Sequence, residues 1–504
     1  MPKSVTSKLK SFFFEYKVAL LFATVSLLAF YFSEMSTPML FNELFTRFGR
    51  NTFIVLSLLI PVIAGLGLNF GIVLGAMAGQ IAIFLVILWG GANLPGLLGI
   101  FVLATPLAML FGFLVGKLFN SMKGSEMVAG MVTALFAEGF YQFFFLYVMG
   151  GIIPINNERM MGPTGVGVLN AINMGASPNY LRQALDNVPM LNILDFAFWF
   201  MLLFMVMLIV RRLVKKEKIQ LMGETGFIKP FIAFVILALL YAASFIIMPF
   251  HYFLYQDRLN GLAAADIVLG ASALFMVGRI AFSKIIEKKQ GRPTRDLINL
   301  ALIIALYVFT LWAPISAGLN NVSIPVLTYL IIAGLCIFIN WFTKTRLGQN
   351  IRTVGHNRNV ATAAGINVDR TRIIAMMLST VFGAYGQIIA LQNFGVMNTY
   401  GSHANVGLYA IAALLVGGAT VSKASVKHAI IGVLLFHSLF ILAPLAANNL
   451  MGSALIGEYF RVFAANAVIA LALIMHAWKR KPKKSILKND KSSAAHVGAV
   501  VADA

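Results

Sequence analysis

PVIAGLGLNFGIVLGAMAGQIAIF, residues 61–84, combines two properties that rarely go together. It is apolar enough for a bilayer interior, yet it carries five glycines together with Asn69 and Gln80. In hydrocarbon every backbone polar group must find a partner inside the protein. A broken helix therefore persists there only where it is buried in protein or lines a cavity. A second stretch of this kind, HANVGLYAIAALLVGGATV at 403–421, is equally short and glycine-broken. Two such segments in different halves of a chain point to a solute path. Close packing of helices through small residues accounts for the glycines as well, and the two readings are compatible.

The rest of the chain supports a membrane setting. Of 504 residues, 60% are hydrophobic and 11% charged, with a mean hydropathy of +0.86; a soluble domain carries about 25% charged residues. Apolar runs predict spans at 18–33, 52–68, 69–90, 97–119, 126–149, 193–210, 230–249, 264–282, 297–316, 322–342, 371–391, 405–421, 428–447 and 459–478. The expectation is an all-α polytopic membrane protein of about 14 transmembrane segments, short broken helices among them. An even number of crossings puts both termini on one side, and charge says which. With these spans, 33 of the 39 Lys and Arg residues fall in alternate loops and in the two termini. Only Arg47, Arg50, Arg159, Arg182, Arg258 and Arg461 lie opposite. That asymmetry marks the basic side, and so both termini, as cytoplasmic. The net charge of +21 is thereby explained by orientation and contact with anionic membrane lipid, and no nucleic-acid partner is expected. A lone Cys336 within a span reads as a buried apolar residue. The lysines before residue 18 are followed by no small-residue cleavage site, so 18–33 reads as a retained first helix.

Several chemistries are missing. Gly116-Lys117 is followed by Leu118, no GxxxxGK[ST] occurs, and nothing in the chain would cradle ATP phosphates. Histidines are scattered, and no Cys/His cluster has zinc spacing, so neither a metal nor a cofactor is expected on this chain. Glu138 is the one carboxylate placed well inside a predicted span, with Gln142 one turn later on the same face. A charge at mid-membrane costs about 3 kcal/mol or more, so Glu138 should face protein or water. It would line a polar path or bond a neighbouring helix in protonated form. A proton- or cation-coupled carrier needs more titratable groups than this, so energy for any transport should come from elsewhere.

VGHNRNVATAAGINVDR, residues 354–370, lies between two spans on the basic side. Asn359 reads as an N-cap, Val360 to Ala364 as about one helical turn, and Gly365 as its stop. So short a helix is unstable alone in water and needs a surface to dock on. Ala361, Ala363 and Ala364 allow close approach, while Arg352, Arg358 and Arg370 supply charge around it. A plain basic loop with a helical turn is the simpler alternative.

The run RLGQNIRTVGHNRNVATAAGINVDRTRIIAMMLSTVFGAYGQIIALQ (346–392) resembles the most characteristic stretch of the permease subunits of bacterial ABC importers. The group in question serves branched-chain amino acids, ribose-type sugars and nucleosides. The matching positions are Gly348, Ile351, Arg352, Gly355, Asn357, Ala361, Gly365 and Ile366. GLYAIAALLVGGATVSKASVKHAIIGVLLF (407–436) is similar to the group's G-x-x-A-I-A-x-A-x-x-G-G run, LNFGIVLGAMAG to its I-N-I-G-x-E-G stretch, and MKGSEMV to K-G-S-E-x-I. The last two lean towards the nucleoside and simple-sugar branch. Three features depart from the pattern. Val73 stands where that branch carries Glu, Ala134 stands where an Asn is common, and 193–316 looks like an insertion of four spans.

The resemblance implies a chain without catalytic activity, multi-pass in the bacterial cytoplasmic membrane, that imports a small polar solute, nucleosides or simple sugars first. It implies ABC ATPase subunits as partners, so that ATP acts only through them, with a second permease subunit and an extracytoplasmic solute-binding protein. The ATPase-coupling residues would be Arg352, Gly355, His356, Asn357, Asn359, Ala361, Ala363, Ala364, Gly365 and Ile366. Polar residues in or beside broken spans, Asn69, Gln80, Glu138, Gln142, Asn393 and His437, are the candidates for the solute path. The organisation expected is a tail and first helix (1–50), a first permease segment (51–150), an outer loop (151–192) and inserted helices (193–316). A second permease segment (317–478) holds the coupling loop 344–370, and a basic tail (479–504) ends the chain. The alternatives are the same importer type serving branched-chain amino acids, a stand-alone secondary carrier, and a membrane-embedded enzyme. The last would need a clustered His/Asp/Arg site at one membrane face.

Overall fold

The computed structural model describes residues 16–155, 157, 160–161, 167–175, 180–214, 225–285 and 294–479. The basic segment before residue 16, the basic loops at 215–224 and 286–293, much of the outer loop 156–179 and the tail from 480 lie outside them. The chain is mostly helical. In order, the helices are α1 (Lys17–Ser33), α2 (Thr37–Ser57), α3 (Leu59–Ile63), α4 (Ile72–Leu88), α5 (Asn93–Ser121) and α6 (Glu126–Phe143). An outer group follows: α7 (Met190–Val214), α8 (Thr225–Ile246), α9 (Met248–Leu254), α10 (Gly261–Ile285), α11 (Thr294–Thr310) and α12 (Ala313–Asn320). The last group is α13 (Val326–Phe342), α14 (Arg346–His356), α15 (Arg358–Ala363), α16 (Val368–Phe394), α17 (Val406–Val416), α18 (Val426–Met451) and α19 (Ala454–Lys479).

Among the described residues, seven helices are long and apolar enough to cross a membrane, or up to ten if each sharply bent pair is one span. α1, α4 and α17 are apolar but shorter. Each predicted span overlaps a helix, but 52–68 and 405–421 run past the helix ends at Ile63 and Val416, 230–249 and 297–316 cross sharp bends after Ile246 and Thr310, and one start is misplaced. The sequence puts residues 34–51 in a loop, whereas α2 begins at Thr37 with Pro38 in its first turn. Glu43 and Arg47, which interrupt the apolar run there, pair across one turn at 3.7 Å inside that helix. The fold is also not purely helical. Two three-residue antiparallel pairs tie loops together: β1 (Ala171–Asn173) with β4 (Val396–Asn398), and β2 (Arg258–Asn260) with β3 (Ser323–Pro325).

The core is a bundle around α16. Small residues let neighbouring backbones touch it: a Cβ on Gly112 of α5 would sit 2.6 Å from the Met377 Cα, and one on Gly75 of α4 would sit 2.5 Å from the Thr380 carbonyl. The apolar windows of α16 and α18 are 61% buried, whereas those of α7 and α10 are 6% buried. The outer group therefore flanks the bundle and turns side chains such as Phe196, Leu203 and Leu274 away from it.

Candidate functional site

The 354–370 stretch folds as an elbow of two short helices, α14 and α15, leading into α16. Each turn of the elbow is fixed by a polar side chain at a helix start. The Thr345 hydroxyl accepts from the Gly348 N–H, and Asn367 Oδ1 accepts from the Arg370 N–H at 2.9 Å. Asn357, not Asn359, caps α15: its extended backbone lets Oδ1 accept from the N–H groups of Asn359 and Val360, at 2.9 and 3.3 Å. The cap lies two residues upstream of the expected one because Asn359 already sits in the helix as a donor. Gly365, at φ +74°, ends α15 as the sequence suggests. Its N–H bonds the Thr362 carbonyl and that of Ile366 bonds Ala361, both at 3.0 Å, which is the Schellman arrangement.

α15 buries one side and leaves the other free. Ala361 is fully buried, while Asn359, Val360, Ala363, Ala364 and Gly365 are exposed and Ile366 is half-buried. Gly355 works inward. A Cβ there would lie 2.0 Å from the Ile63 carbonyl and 2.9 Å from the Gly65 nitrogen, so α14 rests backbone to backbone on the end of α3. The segment it rests on is the break itself, residues 64–71, where Gly65 and Gly67 adopt φ of +70° and +78°. Gly355→Ala is accordingly expected to push the elbow off the break. Destabilisation should reach about 1–3 kcal/mol, the usual cost of overpacking, as measured by the unfolding midpoint in detergent. Arg352 and His356 remain exposed beside a cavity of about 490 Å³ that residues Ser422–Val426 also line.

A buried ion cluster holds the elbow to the bundle. The Glu126 carboxylate, at the start of α6, accepts from Arg358 of α15 at 2.5 Å and from Arg372 of α16 at 2.6 Å. It also accepts from the Gly124 N–H at 2.9 Å, and Arg372 donates to the Phe119 carbonyl at 3.3 Å. Arg372 is completely buried. The glutamate of the MKGSEMV motif is thus the residue that joins α6, α15 and α16. Neither Glu126 nor Arg372 was among the expected site residues. The motif signalled the first, but nothing in the local sequence links it to an arginine 246 positions away.

α16 has 27 residues, and at 1.5 Å per residue it carries the elbow's position about 40 Å to the far end of the bundle. There, α2, α16, α17 and α18 and the loop after β4 enclose a cavity of about 450 Å³. Asn51, Gln387, Ser402, Asn405, Tyr409 and His437 bring amide, hydroxyl and imidazole groups to otherwise apolar walls. The His437 Nδ1 is buried and makes no hydrogen bond among the described residues. The other expected path residues are dispersed. Asn69 is buried in the break, its Nδ2 donating to Ser379 Oγ at 3.3 Å, and Ser379 donates to the Ser57 carbonyl. Gln80 is buried behind the cavity, its Nε2 donating to the carbonyl of Asn398, which lines it. Asn393 stands between α2 and α16, accepting from Arg50 Nε and donating to Asp186 Oδ2 at 2.6 Å. Glu138 and Gln142 are half-buried on α6, a helix whose apolar window is only 11% buried.

His403 fixes the loop over the cavity. Its Nδ1–H donates to Gln80 Oε1 at 2.6 Å, and its ring meets Tyr141 edge-on at 4.5 Å between centroids. Burial pushes the imidazole down to about 4 from its ordinary 6.5. The unfolded chain thus binds a proton that the folded chain refuses between those values. Stability should be full above pH 6.5 and fall as pH drops towards 4. In His403→Asn, whose amide can still donate to Gln80, thermal unfolding should lose that part of its pH dependence.

The sequence model of the family described as "Branched-chain amino acid transport system / permease component" matches residues 217–475, slightly more than half of the 504-residue chain. The chain belongs to this family. The matched range contains the elbow, α16 and the cavity walls at its far end apart from Asn51, Ile54 and Val55 of α2. Among curated permeases, the chain is 29% identical over 160 residues to the galactose/methyl galactoside import permease protein MglC of Haemophilus influenzae, covering 31% of this chain and 44% of that protein. It is 26% identical over 172 residues to the nucleoside ABC transporter permease protein NupB of Lactococcus lactis, covering 34% and 44%. It is 29% identical over 184 residues to the xylose transport system permease protein XylH of Haemophilus influenzae, covering 35% and 47%. The chain thus spans less than half the length of these curated relatives. No solved structure matches.

Proposed function

We propose that this permease-family chain is a transmembrane subunit of an ATP-driven importer for a small polar solute, with sugars or nucleosides as the first candidates. The observation that carries the reading is the elbow. A short helix with an exposed face of Asn359, Ala363, Ala364 and Gly365 rests through Gly355 on the break of a discontinuous helix. An ATPase subunit seated on the exposed face would push on the break at once and, through α16, on the cavity about 40 Å away. Rigid elements that touch both sites are what such coupling requires. The 450 Å³ cavity is of the size that takes a small ligand, and its amides, hydroxyls and free imidazole nitrogen suit a hydroxyl-rich solute.

In this reading the elbow faces the cytoplasm with both termini, and the chain makes about 14 crossings of the bacterial cytoplasmic membrane. The short helices α4 and α17 then serve as broken spans. ATP is bound and hydrolysed by partner subunits, a second permease subunit completes the path, and an extracytoplasmic binding protein delivers solute. The transport-competent complex, reconstituted in vesicles, should take up a sugar or nucleoside only while ATP is hydrolysed. Uptake should persist when proton and sodium gradients are collapsed. Uptake that stops with the gradients while ATP is maintained would instead identify a secondary carrier.

A further inference from the structure

A further cavity, whose walls add two arginines to amides and hydroxyls, lies against the same α2–α16 pair. It encloses about 180 Å³ among Asn42, Thr46, Arg50, Arg258, Ser323 and Asn393. Arg258 and Ser323 come from β2 and β3, which pair with each other at the two ends of the α10–α12 segment. The β2–β3 pair therefore closes the cavity over α2. Behind it, Asp186 is fully buried, and neutral donors engage both its oxygens: Thr328 at 2.5 Å and Gln392 at 3.1 Å on Oδ1, Asn393 at 2.6 Å on Oδ2.

The two guanidinium groups differ. Arg258 is occupied, its Nη2 donating to Gln183 and Asn187 at 3.0 and 3.1 Å and its Nε standing 4.0 Å from Asp257. Arg50 bonds only through Nε, to Asn393 Oδ1, with its guanidinium carbon 4.2 Å above the Phe394 ring. Among the described residues its Nη groups have no hydrogen-bond partner, and no carboxylate lies within ion-pair distance of it. One turn before it, Arg47 has its own carboxylate in Glu43. Asp186, reached through Asn393, and Glu43 balance the Arg50 charge only at a distance, and the free edge of a guanidinium matches a carboxylate in two parallel bonds. At about 30 Å³ per separate water the cavity holds about six waters, or, because bonded atoms pack more closely, a molecule of about seven heavy atoms. Its remaining walls offer the amide of Asn42 and the hydroxyls of Thr46 and Ser323.

We propose that this cavity binds a small hydroxylated monocarboxylate, with the carboxylate on the Nη edge of Arg50 and the hydroxyls on α2 and the β2–β3 pair. The site is distinct from the 450 Å³ cavity and does not depend on the transport reading. It also gives the α10–α12 segment a task, since that segment carries the strands that close the site.

The test is thermal unfolding of the full chain in lipid nanodiscs with glycerate, against glycerol, inorganic phosphate and sodium chloride at matched ionic strength. Glycerate at one hundred times its Kd should raise the midpoint by about 2 °C or more, whereas glycerol, phosphate and chloride should not. Arg50→Gln should abolish the shift. Thr46→Leu, which fills the cavity while keeping the Arg50 guanidinium, should abolish it too and keeps the test decisive if Arg50→Gln fails to fold. His437→Phe, in the other cavity, should leave the shift intact. A glycerate shift no larger than that of chloride, an equal shift with phosphate, survival of the shift in Thr46→Leu, or its loss in His437→Phe would each overturn the assignment.

Discussion

Glu126→Ala should lower the stability of the chain by about 3–5 kcal/mol, the cost of removing one partner from a buried ion pair. The magnitude follows from what stays behind. Arg372 has no exposed surface, and its Nε and Nη1 already lack hydrogen-bond partners, so Glu126 is its only counter-charge within 4 Å among the described residues. Arg358 is less affected, because 34% of its side chain is accessible and water can replace the carboxylate. A paired substitution separates this from mere loss of packing. Glu126→Leu with Arg372→Leu removes both charges, and such replacements are often neutral or stabilising. The double variant should therefore recover most of the lost stability, as read from unfolding midpoints in detergent. Additive losses, or a Glu126→Ala variant within about 1 kcal/mol of the parent, would show that the cluster does not hold the elbow.

Much of the architecture was legible because hydrophobic runs and glycine breaks are local properties. Predicted spans at 97–119, 126–149 and 371–391 fall on α5, α6 and α16, and Gly365 stops α15 for a reason readable in a single residue. Legibility failed where a charge had a partner along the same helix. Glu43 and Arg47 neutralise one another in α2, so the apolar count began that helix 15 residues late, at 52 in place of Thr37. It failed differently for the polar residues of the broken spans. Asn69 and Gln80 looked available to a solute because their partners, Ser379, Asn398 and His403, lie more than 300 positions away. Asp186, in an outer loop where the sequence marked no site, is buried among Thr328, Gln392 and Asn393 for the same reason. His437 has no such tie and does line the larger cavity.

The larger functional effect is expected at the exposed face of α15. Ala363→Trp adds a bulky ring where the side chain is already exposed, so the chain itself has no reason to unfold, but any partner fitted to a small-residue surface is held off. Loss of a central contact of this kind costs about 2 kcal/mol or more, about 30-fold in affinity for the proposed ATPase subunit. Gly365→Pro acts on the helix end instead. Proline cannot adopt the φ of +74° found there, and it removes the N–H that bonds the Thr362 carbonyl, so the Schellman end and the position of Ile366 are lost together. Both variants should insert normally into the membrane and both should abolish ATP-driven uptake. The two should part in one measurement. Ala363→Trp should weaken assembly with the ATPase, whereas Gly365→Pro should leave a complex whose ATPase rate no longer responds to solute, because α16 has lost its fixed link to the docked helix. Solute-stimulated ATPase activity at the parent level in either variant would mean that energy enters this protein somewhere other than the elbow.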